Sequence, residues 1–318
     1  MAGDDPIRVG VSACLLGQEV RYDGRHKRSA FVADVLARFV ELVPVCPEVE
    51  LGLGVPREPI RLERAGRRLR LVAPGSGIDH TEAMQAWAAE RLAALEPLGL
   101  CGYVLKSRSP SCGMAGVEVH PAAGGRPTKE GVGLFAAALM ARQPLLPVEE
   151  EGRLEDPRVQ EQFVERLFAW RRLRALFRPR WRVADLVRFH TAGKLLLLAH
   201  DPQAYRALGR LVASAKGRPR AELADAYRQG YMRALARPAT TGKHVNVLQH
   251  MAGYLRDLLP APQRRELERA IEDYRRARVP WTVPAELIRH HARAQGVSYV
   301  QGQVYLEAHP AELMARGA

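Results

Sequence analysis

Short apolar runs separated by polar turns fill the first half of the chain. The runs are four to seven residues long and rich in β-branched residues, which predicts buried strands. Longer segments between them repeat apolar positions with helical period, so strands and helices alternate and predict an α/β fold with a mostly parallel sheet. The predicted strands are residues 7–13, 42–45, 102–106 and 145–148, with a possible short strand at 117–119 and a hairpin of 60–63 with 68–72. The predicted helices are residues 29–40, capped by Ser29, then 79–95 and 131–142.

The second half of the chain has helical period in almost every segment, and prolines fall between the segments. This pattern predicts an all-α region with helices at residues 159–177, 183–198, 203–215, 220–235, 240–258, 262–276 and 284–296. The run E-E-E-G-R-L-E-D-P at 149–157 interrupts the alternation and is interpreted as a linker. We therefore expect an α/β domain over residues 1–150 and a basic all-α domain over residues 151–318.

Charge divides the chain at the same place. Residues 1–150 hold 18 Lys and Arg against 18 Asp and Glu, whereas residues 151–318 hold 30 against 17. A basic domain attracts polyanions, so RNA is a possible partner of the second half, the alternative being a solvated helical surface rich in Arg.

Two further features of the sequence bear on the cellular location of the protein. No apolar run approaches the roughly 20 residues that span a bilayer, and the start M-A-G-D-D-P lacks the pattern of a signal peptide. We expect a cytoplasmic protein without a membrane partner, whose four cysteines serve as thiols or ligands rather than in disulfides.

Three of these cysteines lie where predicted strands lead into loops. Cys14 follows the first strand in V-S-A-C-L-L-G, Cys46 follows the second in V-C-P-E, and Cys112 ends K-S-R-S-P-S-C-G. Ligands of α/β folds usually bind at the carboxyl edge of the sheet, where strand ends gather. Three thiols collected there are able to hold a soft metal centre with one open coordination position.

The type of centre follows from the spacing. The absence of any C-x-x-C argues against a zinc ribbon and a bacterial ferredoxin pattern. Three scattered thiolates suit a [4Fe–4S] cluster better than zinc, and the fourth iron would then be a Lewis acid. The competing interpretation is that the thiols are buried structural residues, since free Cys is often buried. Cys101 lies in the apolar run L-G-L-C-G-Y-V-L and is interpreted as a core residue, the alternative being a fourth ligand.

Polar residues beside the cysteines are candidates for proton transfer and substrate binding. Glu48 comes two residues after Cys46, so a partly desolvated carboxylate there is a candidate general acid or base, or simply a surface carboxylate. The hydroxyl-rich loop from Ser107 through Ser109 to Ser111 is suited to orient a small polar substrate, or it is an ordinary Ser/Pro turn.

These segments also carry a family resemblance. V-S-A-C-L-L-G with V-R-Y-D-G, C-P-E with G-L-G-V-P-R-E-P, and L-K-S-R-S-P-S-C-G resemble the motifs of the thiouracil desulfidase family, long catalogued as a bacterial domain of unknown function. The resemblance covers about residues 7–148. The second half, with F-H-T-A-G-K-L-L-L-L-A-H and T-T-G-K-H-V-N-V-L-Q-H-M-A-G-Y, resembles the helical domain often fused to that family, which has no settled role.

The resemblance implies a specific chemistry. Cys14, Cys46 and Cys112 would bind a [4Fe–4S] cluster whose remaining iron takes the sulfur of a thiocarbonyl substrate such as 2-thiouracil, through a transient [4Fe–5S] species. Water would replace the sulfur without net redox change, which places the enzyme among hydrolases or lyases. Glu48 and Ser107 would be the catalytic residues, and Ser109 and Ser111 are expected to contact a thiolated pyrimidine. The family's R-Y-D-G-G departs here, because Arg25 stands at its last position.

A second hypothesis belongs to another class of protein. The chain would be an RNA-binding module stabilised by a cluster or a metal, with the basic helical half as its working part. Desulfuration of a thiolated nucleoside within RNA would connect the two hypotheses.

Overall fold

The structure is a computed structural model that describes residues 6–310 and residue 313. The chain divides into two compact units, the first extending to Arg171 and including Leu313, and the second beginning at Arg172. These compact units are defined by contacts between residues, whereas the boundary at residue 150 was predicted for domains, so that boundary stays a prediction.

A four-stranded parallel sheet is the centre of the first unit. Its strands are β1 (Arg8–Ser12), β2 (Glu41–Val45), β5 (Gly102–Leu105) and β8 (Val148–Glu150), in the order β2-β1-β5-β8. Each neighbouring pair is parallel, with Val9 opposite Leu42 on one side and Gly102 on the other. The chain leaves β1 first to one side and later to the other, so a switch in strand order lies beside the end of β1. Ligand sites of open α/β sheets form at such a switch.

A second sheet of mixed direction lies in the same unit. It contains β3 (Arg61–Ala65), β4 (Arg68–Val72), β6 (Val117–Pro121) and β7 (Thr128–Gly131), in the order β4-β3-β6-β7. The predicted hairpin is confirmed as the antiparallel pair of β3 and β4. The strand β7 was not predicted, because the sequence T-K-E-G is polar and three of its residues are exposed.

Three helices complete the first unit before the chain enters the long helix α4 (Pro157–Leu176). They are α1 (Pro47–Glu50), α2 (Thr81–Leu95) and α3 (Leu134–Arg142). The core between sheet and helices includes the fully buried ring of Tyr103, which approaches the backbone of Gly10 so closely that a Cβ there would meet the ring at 2.2 Å. Glycine at position 10 is therefore required by packing.

Three predictions for this unit were wrong in detail. The predicted regular helix at 29–40 is a π-helical turn at Phe31–Val35 followed by a 3₁₀ turn at Leu36–Arg38. Ala30 rather than the predicted Ser29 occupies the N-cap position, and it makes no side-chain capping hydrogen bond. The last strand of the sheet is Val148–Glu150 rather than residues 145–148.

The run of three glutamates is likewise not a linker. Glu149 and Glu150 belong to β8 and are both only 7 % exposed. Their polarity suggested a solvated connection, but neighbouring groups bind the carboxylates: Arg153 donates to Glu149 at 2.7 Å and the backbone N–H of Met114 to Glu150 at 2.7 Å.

The second unit is helical, and no strand occurs among its described residues. After the end of α4, its helices are α5 (Val183–His200), α6 (Pro202–Ala213), α7 (Arg220–Leu235), α8 (Thr241–Gly253), α9 (Ala261–Arg275), α10 (Thr282–Ala294) and α11 (Ser298–Gln301). The predicted fold class, an α/β region followed by an all-α region, is thus confirmed.

Two features of the second unit follow from its sequence. Tyr227 and Tyr231 stack at 5.8 Å between ring centroids and are fully buried, as their one-turn spacing on α7 favours. In the described part of the chain, no helix is both long and apolar enough to cross a bilayer.

Candidate functional site

The three predicted ligand cysteines all follow strands of the parallel sheet. Cys14 lies in a 3₁₀ turn directly after β1, Cys46 directly after β2, and Cys112 in the loop that leaves β5. Because these strands are adjacent and parallel, their carboxyl ends bring all three side chains to one edge. All three residues line one cavity of about 850 Å³. The juxtaposition proposed from the sequence is therefore present.

Cys14 and Cys112 are buried, Cys46 is half-buried, and the three thiols are close enough to influence one another. Burial, with a smaller contribution from the neighbouring Cys46, raises the pKa of Cys14 to about 11. Burial also raises the pKa of Cys46, and it raises that of Cys112 well above its ordinary value, where a hydrogen bond with Ser12 acts in the opposite direction. Metal ligation requires thiolates, so a bound soft cation would displace the thiol protons. Its positive charge would also offset the repulsion between the neighbouring thiolates.

The donor set fits a cluster better than a single ion. Three thiolates on one tetrahedral metal at about 2.3 Å lie about 4 Å apart. Across the described residues, no three His, Cys, Asp or Glu side chains approach closely enough for one ion. A thiolate-bound cluster accommodates more widely separated sulfurs than a single ion does, so this donor set is compatible with one.

Local structure fixes each cysteine. The backbone N–H of Cys46 donates to Glu50 Oε1 at 3.1 Å, and its thiol lies 3.8 Å from the carbonyl oxygen of Val20. The backbone N–H of Cys112 donates to Ser109 Oγ at 3.1 Å.

The loop of Cys112 also depends on a glycine in the segment that leads into α3. A Cβ at Gly133 would lie 2.5 Å from the carbonyl carbon of Ser111 and 2.7 Å from the backbone nitrogen of Cys112. Only glycine allows this approach.

Cys101 is placed differently. It is 4 % exposed, belongs to the apolar core with Val9 and Val104, and its thiol contacts the carbonyl oxygen of Gly99 at 3.8 Å. It does not belong to the residues that line the cavity.

Glu48 lies in the first turn of α1 and lines the cavity. Arg57 binds one carboxylate oxygen, with Nη2 at 2.5 Å and Nε at 3.0 Å from Oε2, and the hydroxyl of Ser111 donates to Oε1 at 2.9 Å. The side chains are 14 % exposed for Glu48 and 5 % for Arg57. Arg57 therefore fixes the carboxylate at the wall of the cavity. Arg57 lies in the segment G-L-G-V-P-R-E-P that carries part of the resemblance, but no role was predicted for this residue from the sequence.

The three serines have different environments. Ser107 lines the cavity, and its hydroxyl donates to Glu151 Oε1 at 2.8 Å. Ser109 also lines the cavity, but its oxygen accepts the backbone N–H groups of Ser111 and Cys112. Ser111 is fully buried and contacts Glu48, so its hydroxyl serves the carboxylate. Substrate contact by Ser109 and Ser111 stays a prediction.

Lys106 and Glu151 belong to this site and were missed from the sequence. Lys106 lines the cavity, donates to Ser107 Oγ at 3.0 Å and forms an ion pair with Glu151. Glu151 comes directly after β8, and the parallel pairing of β5 with β8 brings it beside Ser107. Its place in a run of three glutamates suggested a solvated segment. Sequence could have indicated it only through the prediction that the preceding strand ends at this edge.

Comparison with known proteins separates the two parts of the chain. Residues 9–151 match the family model of 2-thiouracil desulfurase, and residues 194–310 match that of a protein family of unknown function, DUF1722. The uncharacterized protein YbgA of Escherichia coli K12 is 32 % identical over 146 residues, covering 46 % of this chain and 86 % of YbgA. The uncharacterized protein YbbK of Bacillus subtilis 168 is 31 % identical over 151 residues, covering 46 % and 97 %.

One solved structure is also similar, that of the [4Fe-4S]-dependent thiouracil desulfidase TudS. It shares 34 % sequence identity, covers 47 % of this chain and 94 % of its own, and superposes with a TM-score of 0.38.

Proposed function

The chain belongs through residues 9–151 to the 2-thiouracil desulfurase family, and on this premise we propose that it is an iron–sulfur desulfidase that replaces the sulfur of a thiocarbonyl substrate by oxygen. The observation that carries the proposal is the convergence of Cys14, Cys46 and Cys112 on one cavity beside Glu48 and Ser107. A small thiolated pyrimidine such as 2-thiouracil is the proposed substrate.

Cys14, Cys46 and Cys112 would hold a [4Fe–4S] cluster. When bound, this group would supply a soft Lewis acid able to polarise the C=S bond of the substrate. The cavity has room for a pyrimidine ring beside the three thiols.

The chain's own residues orient the reactants and move protons. Glu48 is held by Arg57 and Ser111 at the cavity wall, where its carboxylate is positioned to bind an N–H of the ring or the attacking water. Ser107 lines the same cavity. The overall change, C=S plus water giving C=O plus sulfide, requires no electron transfer.

The test is anaerobic reconstitution of the full chain with iron and sulfide, followed by addition of 2-thiouracil. We expect sulfide release that matches the loss of thione absorbance, with none from the chain that has not been reconstituted. A fully loaded chain that releases no sulfide would contradict the proposal for this substrate class.

RNA contact by the basic helical unit stays a prediction from charge, and nothing in the described geometry favours it over a solvated surface.

A further inference from the structure

Both carboxylate oxygens of Glu151 accept hydrogen bonds from Ser107. The backbone N–H of Ser107 donates to Oε2 at 2.7 Å and its hydroxyl donates to Oε1 at 2.8 Å. The Glu151 side chain is only 15 % exposed, so little water competes for these contacts. Neither family motif nor sequence pattern pointed to this residue.

Lys106 completes the arrangement from the other side. Its ammonium group donates to Ser107 Oγ at 3.0 Å and to the carbonyl oxygen of Ser107 at 3.0 Å, and forms an ion pair with Glu151. The side chain of Lys106 is 16 % exposed.

These contacts decide what Ser107 is able to do. A serine hydroxyl has one proton and two lone pairs. The proton is directed to Glu151, and one lone pair accepts from Lys106, which leaves one lone pair. Ser107 lines the cavity, so toward a bound molecule its oxygen acts as an acceptor. A water molecule in the cavity would therefore donate to Ser107.

We propose that Glu151 is the proton acceptor of the desulfidase reaction and acts through Ser107, while Lys106 stabilises the charge of the pair; this rests on the proposed function. Glu151 is a positioning residue in this scheme, because Ser107 alone meets the reacting water. The carboxylate Glu48, held by Arg57, keeps its proposed acid/base role toward the substrate rather than toward the water.

The step balances in atoms and charge. As the water oxygen bonds to the thiocarbonyl carbon, one water proton passes to Ser107 Oγ, and the proton of Ser107 passes to Glu151 Oε1. When the C–S bond breaks, the second proton leaves with sulfur as HS⁻ and the C=O bond forms. Glu151 then releases its proton to solvent, so C=S plus water gives C=O, HS⁻ and H⁺ without an oxidant or reductant.

The experiment compares reconstituted wild type, Glu151→Gln, Ser107→Ala and the double variant with 2-thiouracil. We expect Glu151→Gln to lower kcat about 100-fold or more with little change in KM, the usual contribution of general base catalysis. The Glu151 substitution should have no further effect in the Ser107→Ala background, because residues that act as one unit are not additive. Glu151→Asp, which keeps a carboxylate, should recover at least about ten-fold of the loss.

Glu149→Gln is the matched control. Glu149 lies two residues earlier, is buried and forms an ion pair with Arg153, but it does not contact Ser107. Iron content and visible absorbance must match wild type in every variant that is compared.

A second measurement needs no turnover. In the cluster-free full chain, the amide of Ser107 should be protected from hydrogen exchange, and Glu151→Gln should reduce that protection. An unprotected amide in wild type would overturn the inference.

The outcomes separate the inference from the function on which it rests. Unchanged kcat in Glu151→Gln, additive losses in the double variant, or loss of iron would each overturn the relay while leaving the desulfidase function standing. Wild type that loads the cluster but releases no sulfide would overturn the function, and the relay as a step of it.

Discussion

The hydroxyl of Ser111 donates a hydrogen bond to Glu48 Oε1 at 2.9 Å, across 63 positions of sequence. Ser111 is fully buried and directly precedes the predicted ligand Cys112. It orients Glu48, which follows the predicted ligand Cys46 by two residues. The ligand loops and the proposed acid/base residue are thereby parts of one hydrogen-bonded structure.

Ser111→Ala is expected to lower kcat about ten-fold, since it removes one hydrogen bond to a carboxylate while Arg57 remains in place. Iron content should be unchanged. Steady-state sulfide release in the reconstituted variant measures the effect. Wild-type kcat in this variant would show that Ser111 does not orient Glu48 for the reaction.

Glu48→Ala is expected to retain the cluster and lose turnover by about 100-fold or more, because the proposed acid/base group is gone. Glu41→Ala is the matched control, since Glu41 pairs with Arg8 at the opposite end of a strand. Iron content and kcat are measured on the same samples. An active Glu48→Ala enzyme would remove this carboxylate from the mechanism.

Cys112→Ala is expected to abolish cluster binding, because Cys112 lines the cavity, whereas Cys101→Ala should leave it intact because Cys101 packs in the core. Iron and sulfide per chain after anaerobic reconstitution give the answer. Equal iron content in the two variants would contradict the assignment of the ligands.

Gly133→Ala is expected to disturb cluster loading without touching a ligand side chain. The new methyl group would lie 2.5 Å from the backbone of Ser111, so the loop carrying Cys112 must move, at a cost of about 1–3 kcal/mol. Gly242→Ala, where no heavy atom lies within 4 Å, is the control. We expect lower iron content and a lower midpoint of urea unfolding only in Gly133→Ala.

Asp79→Asn is expected to lower stability in a pH-dependent way. A hydrogen bond from the Thr81 side chain, with smaller effects of the Thr81 backbone and Arg70, lowers the pKa of Asp79 from 3.8 to about 2. Because the pKa of Asp79 is lower in the folded state, its ionised carboxylate stabilises the protein at pH values above the ordinary pKa of 3.8. This contribution disappears as the pH falls through about 2.

The side chain of Asp79 is 37 % exposed, so solvent screening keeps the effect small, about 0.5–1 kcal/mol at neutral pH. Urea unfolding of wild type and variant between pH 7 and pH 2 measures it. A difference that stays constant over this range would contradict the assignment.

The sequence by itself determined the architecture and the place of the thiols. Alternating strands and helices predict a parallel sheet, and in such a sheet the residues that follow adjacent strands lie at one edge. The sequence alone therefore indicated that Cys14, Cys46 and Cys112 lie close together. The helical period and prolines of the second half likewise predicted its helices, since both are local properties of the chain.

Only the tertiary structure decided which polar residues act on those thiols and on their neighbours. A run of charged residues suggests exposure to solvent, so the sequence placed Glu151 in a linker. Its partner Ser107 is distant in sequence, and the two meet only because β5 pairs with β8. Arg57 was missed for the same reason, as its contact with Glu48 depends on how the segment after α1 folds back. Burial of a charge is decided by the groups that surround it, and a sequence pattern does not contain that arrangement.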